Sequence, residues 1–131
     1  MRKINKVGTT LIICACFLST SVLALTVASF KVTTSTKNKN VGSKTYLIGD
    51  TASYIAEISS VTIAGGQTKA SYAVQPKTGT SLLDKKKSSQ TISIASANIS
   101  SRKTWSDMTN KTWHFYVTGK SGTITNSVVI N

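Results

Sequence analysis

Beyond Cys16 the chain contains no cysteine, and it has one histidine and four acidic residues in all. The missing thiols exclude a disulfide framework for everything past the N-terminal segment, although small exported domains often depend on one. Zinc needs three or four nitrogen, sulfur or oxygen ligands, and His114 with four scattered acids does not supply them. Calcium prefers clustered carboxylates, and no two acids lie closer in sequence than Asp50 and Glu57. A Ser-His-Asp triad needs an oriented imidazole. His114 alternates with Trp113 and Phe115, which places it on the solvent side of a strand. Helical patterning is also absent, with at most one turn over Ser81–Lys87. No cofactor or metal is expected.

What is present begins with a leader. Arg2, Lys3 and Lys6 form a cationic head, and Thr9 to Ala28 carries no charge. Small residues at cleavage spacing follow, Val22/Ala24 or Thr26/Ala28, so the order is that of a secretory signal peptide. The rival is an uncleaved anchor, since the neutral run from Val7 to Phe30 exceeds the ~20 residues that span a bilayer. Cys14 follows Ile13 rather than a small residue, and Cys16 is still followed by Phe17, Leu18, Val22 and Leu23, so neither fits a lipoprotein signal. The expected product is a secreted or cell-surface domain, and a cysteine-free exported domain suits a bacterium. Past residue 28, thirteen Lys and Arg against four acids leave a net charge of +9. Such a field draws in anionic polymers and surfaces. Outside a bacterium these are envelope polymers or membrane lipids; nucleic acid is not the expected physiological partner.

Period-2 alternation dominates the remainder. Polar, turn-prone residues 35–43 read as a linker or long first loop. Strand-like runs are Phe30–Thr34, Lys44–Ile48, Ser53–Ile63, Lys69–Gln75, Gln90–Ala95, Thr112–Thr118 and Thr123–Ile130. Pro76 lacks the N–H that a ladder requires and marks an edge or an end. Val117–Ile124, punctuated by Gly119 and Gly122, reads as a hairpin. The expected organisation is a signal peptide over 1–28, a polar segment holding a candidate first strand over 29–43, and an antiparallel β-sandwich of about seven strands over 44–131.

The stretch Lys103-Thr104-Trp105-Ser106-Asp107-Met108-Thr109, then Trp113-His114-Phe115-Tyr116-Val117, the Gly119–Gly122 turn and Val128-Val129-Ile130 resembles the end of small immunoglobulin-like sandwich domains exported by bacteria. It lacks the cysteine pair and tyrosine-corner spacing of antibody-type domains. The resemblance implies an immunoglobulin-like fold, with a jelly roll as the alternative, and a binding or structural role. It transfers no functional residue.

Motif fragments fail on context. Gly119-Lys120-Ser121 lacks the leading glycine of a phosphate loop, whose place falls at His114. Ser100-Ser101-Arg102-Lys103, Ser106-Asp107-Met108 and Lys77-Thr78-Gly79 stand in the wrong order for penicillin-recognising serine enzymes. Glu57 and Asp107 are the one carboxylate pair to weigh for glycoside hydrolysis, which makes a small secreted hydrolase the least favoured reading. Two features remain. Lys85, Lys86 and Lys87, with Lys77 nearby, form a basic loop suited to an anionic polymer or lipid surface. Trp105 and Tyr116 are the candidate exposed aromatics, because Trp113 has the core phase. The favoured function is non-enzymatic binding at an anionic envelope surface, on the producer or, in bacteriocin-like fashion, on competitors. The alternative is a structural matrix protein assembling through edge strands.

Overall fold

The computed structural model describes residues 25–131. The cationic head, both cysteines and most of the expected signal peptide lie outside the described residues. Eight strands follow: β1 (Leu25–Val32), β2 (Lys39–Thr45), β3 (Asp50–Thr62), β4 (Ala70–Lys77), β5 (Gln90–Ile94), β6 (Ser100–Met108), β7 (Thr112–Ser121) and β8 (Thr123–Ile130). They form two four-stranded antiparallel sheets, ordered β1-β8-β3-β6 and β2-β7-β4-β5, packed as a β-sandwich.

The alternation read in β7 is the clearest cause of this packing. Trp113, Phe115 and Val117 are fully buried, while His114 and Tyr116 lie on the outer face. From the facing sheet, Tyr54 stacks on Phe115 at 6.0 Å between ring centroids, and Trp105 meets Phe115 edge-on at 5.9 Å. Burial of each such side chain contributes roughly 1.5–3 kcal/mol. One polar chain crosses the middle of the core. The Tyr54 hydroxyl donates to that of Tyr72 (3.1 Å), Tyr72 donates to Asn126 Oδ1 (2.6 Å), and Asn126 Nδ2 donates to the Phe30 carbonyl (3.4 Å). Desolvation raises both phenols well above their ordinary pKa of 10.0, with the neighbouring Tyr72 pushing Tyr54 further up.

Several expectations change. There are eight strands rather than about seven, because β6 carries no alternating run to announce it. The polar segment 35–43 holds the start of β2, and β1 pairs with β8 from Leu25↔Ile130 onward. The sandwich therefore includes β1 and β2, both of which start before residue 44. The run Lys44–Ile48 ends as a strand at Thr45. Pro76 does not stop β4: it pairs with Phe115 on one side, and the β5 ladder ends at Val74 on the other, so the missing N–H faces no partner strand. Val117–Ile124 is not a hairpin within one sheet but a corner at which the chain changes sheets, since β7 and β8 belong to different ones. Gly122 makes that corner at φ +65°, and a Cβ there would stand 2.3 Å from the Thr62 carbonyl.

Register places every loop at one of two ends. Leu25, Asn131, the β2–β3 turn, the β4–β5 loop and the β6–β7 turn share one end, hereafter the terminal end. The β1–β2, β3–β4 and β5–β6 connections and the Gly122 corner share the opposite end.

Candidate surface-binding site

The β4–β5 loop is a projecting hairpin extension rather than a slack connection. Lys77 bridges Lys86 in antiparallel fashion. The Thr78 N–H donates to the Lys85 carbonyl (2.9 Å) and the Lys87 N–H to the Pro76 carbonyl (3.0 Å). Its tip is Ser81-Leu82-Leu83-Asp84. The Asp84 carboxylate accepts the Ser81 N–H at 2.8 Å, and the Ser81 carbonyl accepts the Asp84 N–H at 3.2 Å. Such a side-chain-to-backbone closure is what aspartate supplies in turns. At the base, Gln75 Nε2 donates to the Lys87 carbonyl (2.8 Å). A dent beside the tip, lined by Lys77, Gly79, Ser81 and Lys86, has a volume of about 40 Å³. That is far below the ~300–1,000 Å³ of small-molecule sites.

The four lysines read from the sequence separate into three environments. Lys85 and Lys86 are exposed on the returning limb of the loop. Lys87 is half-buried, and its ammonium donates to the carbonyls of Ser106 (2.8 Å) and Asp107 (2.9 Å), which ties the loop to the end of β6. Lys77 lies on the outer face of β4, donates to Asn38 Oδ1 at 2.8 Å and sits 5.2 Å above the Tyr116 ring. Tyr116 is outward-facing as expected and adjoins His114 at 6.3 Å, while His114 Nδ1 meets Asn40 Nδ2 at 3.2 Å. This aromatic group lies on the open face of the sheet, apart from the loop tip.

Trp105 is a correction. It is 4% exposed and offers no stacking surface. Its ring fills the core edge-on to Phe115, and its indole N–H donates to the Ser88 carbonyl at 2.8 Å, holding the end of the loop against the sheet. The reason is its position two rungs in from the end of β3, paired with Ala52, whose small side chain leaves room for the indole. Glu57 and Asp107 do not form a carboxylate pair. Both are exposed on one ladder, but Asp107 lies beside the rung Asp50↔Met108 and Glu57 on the rung with Ser100. That separation is roughly 20 Å at ~3.3 Å per residue, against the ~5–9.5 Å of glycosidase carboxylates.

Sequence reading missed four residues. Leu82 and Leu83 are 92% and 96% exposed, and Leu47 and Ile48 in the β2–β3 turn are 69% and 79% exposed. The second turn repeats the construction of the first: Asp50 Oδ2 accepts the Leu47 N–H at 2.8 Å. Below it Tyr46 is buried, with its hydroxyl on the Asn131 carbonyl (2.8 Å); burial, and then the charge of Asp50, raise its phenol pKa. The signal for the first pair was an adjacent Leu-Leu within an otherwise polar stretch.

No protein-family model matches the chain, and no curated protein matches it.

Proposed function

We propose that the protein is an exported, non-enzymatic binding module that contacts a polyanionic envelope surface through its β4–β5 loop. The observation that carries this reading is the placement of Lys85 and Lys86, exposed on the returning limb of a projecting hairpin extension, in a domain of net charge +9 with thirteen basic and four acidic groups. Loops on a rigid sandwich are where binding groups usually sit. Replacing Lys85 and Lys86 by Ser is expected to cut retention on wall fragments or acidic vesicles more than replacing Lys37 and Lys39. Salt is expected to weaken that retention, because the screening length is only ~8 Å at physiological ionic strength. Equal losses from both pairs would mean that net charge acts diffusely and the loop is a solvated turn.

Export favours one of the two cleavage positions. Cleavage after Ala28 would remove the rungs Leu25↔Ile130, Thr26↔Val129 and Val27↔Val128, leaving β1 only its half beyond the bulge. Cleavage after Ala24, directed by Val22 and Ala24, leaves β1 whole. The exported protein is therefore expected to begin at Leu25, as read by N-terminal sequencing or intact mass. A start at Ser29 would show the first half of β1 to be dispensable, and an intact chain in the membrane fraction would restore the anchor reading.

A further inference from the structure

Lysines alone do not orient this molecule. The terminal end holds Lys44, Lys85, Lys86 and Lys111 beside Asp50, Asp84 and Asp107, and the opposite end holds Lys37, Lys69 and Lys120. An anionic surface attracts either. Aliphatic exposure separates them. Leu47, Ile48, Leu82 and Leu83 are all at least 69% exposed and all belong to the terminal end, whereas Ile63 and Ile99, towards the other end, are 36% and 42% exposed. Large aliphatic side chains exposed at one end of the fold mark an interaction surface.

The two tips are built alike and anchored to one place. In each, an aspartate accepts the N–H of the residue three positions before it, at 2.8 Å, and holds a pair of aliphatic residues at the apex. Lys87 fastens the β4–β5 loop to the carbonyls of Ser106 and Asp107, and the Gly49 N–H fastens the β2–β3 turn to the carbonyl of Met108 (2.8 Å). Both tips therefore flank the last residues of β6.

We infer that the terminal end seats on a lipid bilayer bearing acidic headgroups, with Leu82-Leu83 and Leu47-Ile48 entering the boundary between headgroups and acyl chains and Lys44, Lys85, Lys86 and Lys111 meeting the phosphates. This rests on the anionic-surface reading and narrows it to one partner. A wall polymer offers charge but no hydrocarbon for four aliphatic side chains, whereas the bilayer interface takes apolar groups and a basic rim together.

The test uses the exported protein, expressed from the full chain in a secreting host, with phosphatidylcholine vesicles containing or lacking phosphatidylglycerol. Leu82→Ser with Leu83→Ser is expected to weaken binding to acidic vesicles by about tenfold or more and to leave retention on wall fragments unchanged. A Leu82→Trp variant is expected to gain emission that brominated lipid quenches, and an Ile63→Trp variant at the opposite end is not. If export leaves residues 1–24 in place, the quenching comparison is made in reconstituted vesicles. Parent-like vesicle binding by the double serine variant, or equal quenching at both ends, would overturn the seating. If Lys85→Ser with Lys86→Ser still weakened binding, the anionic-surface reading would stand without it. A lysine variant with no effect on vesicles or wall fragments would overturn both. Loss of a self-associated species in the serine variant, with vesicle binding unchanged, would assign the tips to a second copy.

Discussion

At the terminal end the β2–β3 and β4–β5 tips carry Leu47-Ile48 and Leu82-Leu83, each closed by an aspartate side chain. At the opposite end the β3–β4 turn is Ala64-Gly65-Gly66-Gln67, closed by the backbone bond from the Gln67 N–H to the Ala64 carbonyl (3.1 Å), with Gly66 at φ +79°. Glycine makes a turn by backbone freedom and holds nothing out to solvent. An aspartate staple makes a turn whose apex residues keep their side chains. The β2–β3 turn uses both devices, with Gly49 at φ +83° beside its aspartate, so the contrast lies in what the apices carry: aliphatic side chains at the terminal end and glycine at the other. The interior matches it: Trp105 and Trp113 both lie beneath the terminal end, their indole nitrogens bound to the carbonyls of Ser88 and Thr109 in its loops.

The sharpest way to break this contrast is to remove the support. Trp113→Ala is expected to cost about 3–5 kcal/mol, the range for a large buried aromatic, read as a lowered melting temperature. An unchanged melt would show that the terminal end does not rest on this ring. A change at mid-height should affect both ends alike. Tyr72→Phe leaves Asn126 Oδ1 without its 2.6 Å donor and is expected to cost about 1–3 kcal/mol, with hydrogen-exchange protection falling at both ends. The same two phenols predict a pH dependence. Their pKa is raised in the fold above the ordinary 10.0, so they favour folding while neutral. That stability is complete below about pH 10 and is lost as the pH rises above it, because the unfolded chain ionises first. A melting temperature flat from neutral pH through the phenol range would contradict the buried pair. The smallest effect isolates the tips. Asp84→Ala is expected to cost no more than about 1 kcal/mol, yet to make the Leu82–Leu83 apex susceptible to proteolytic nicking. Gly66→Ala at the opposite end is expected to strain its turn without creating such a site.

The four central strands, β3, β4, β7 and β8, were all legible in the sequence, because each buries alternate residues along most of its length. Edge strands were harder. β6 buries only Trp105 and Met108 in nine residues, and β2 only Val41 in seven. An edge strand needs few core residues to be held, so its periodicity fades into a polar background. β1 was obscured differently, since the first four residues of its strand are apolar or small and read as the end of a leader. For the candidate site, the loop between Pro76 and Gln90 and its lysines were legible from composition. The fate of Lys87 was not, because its two carbonyl partners lie on β6, nineteen and twenty residues away. Burial of Trp105 was hidden for the same reason: without β6 there was no strand phase to assign to it. The aliphatic apices escaped notice because exposure of Leu is ordinary one residue at a time, and only the fold puts the two pairs at one end.

Among the described residues, β4 and β5 are the one pair of consecutive strands that are neighbours in a sheet; every other connection changes sheets, and β1 finds its partner in β8. Almost no pairing can therefore form from nearby sequence, and such topologies fold slowly because loop closure precedes the contacts that reward it. The first strand has no ladder until the last has been synthesised. A chain wired this way completes its first sheet only when its final residues are free.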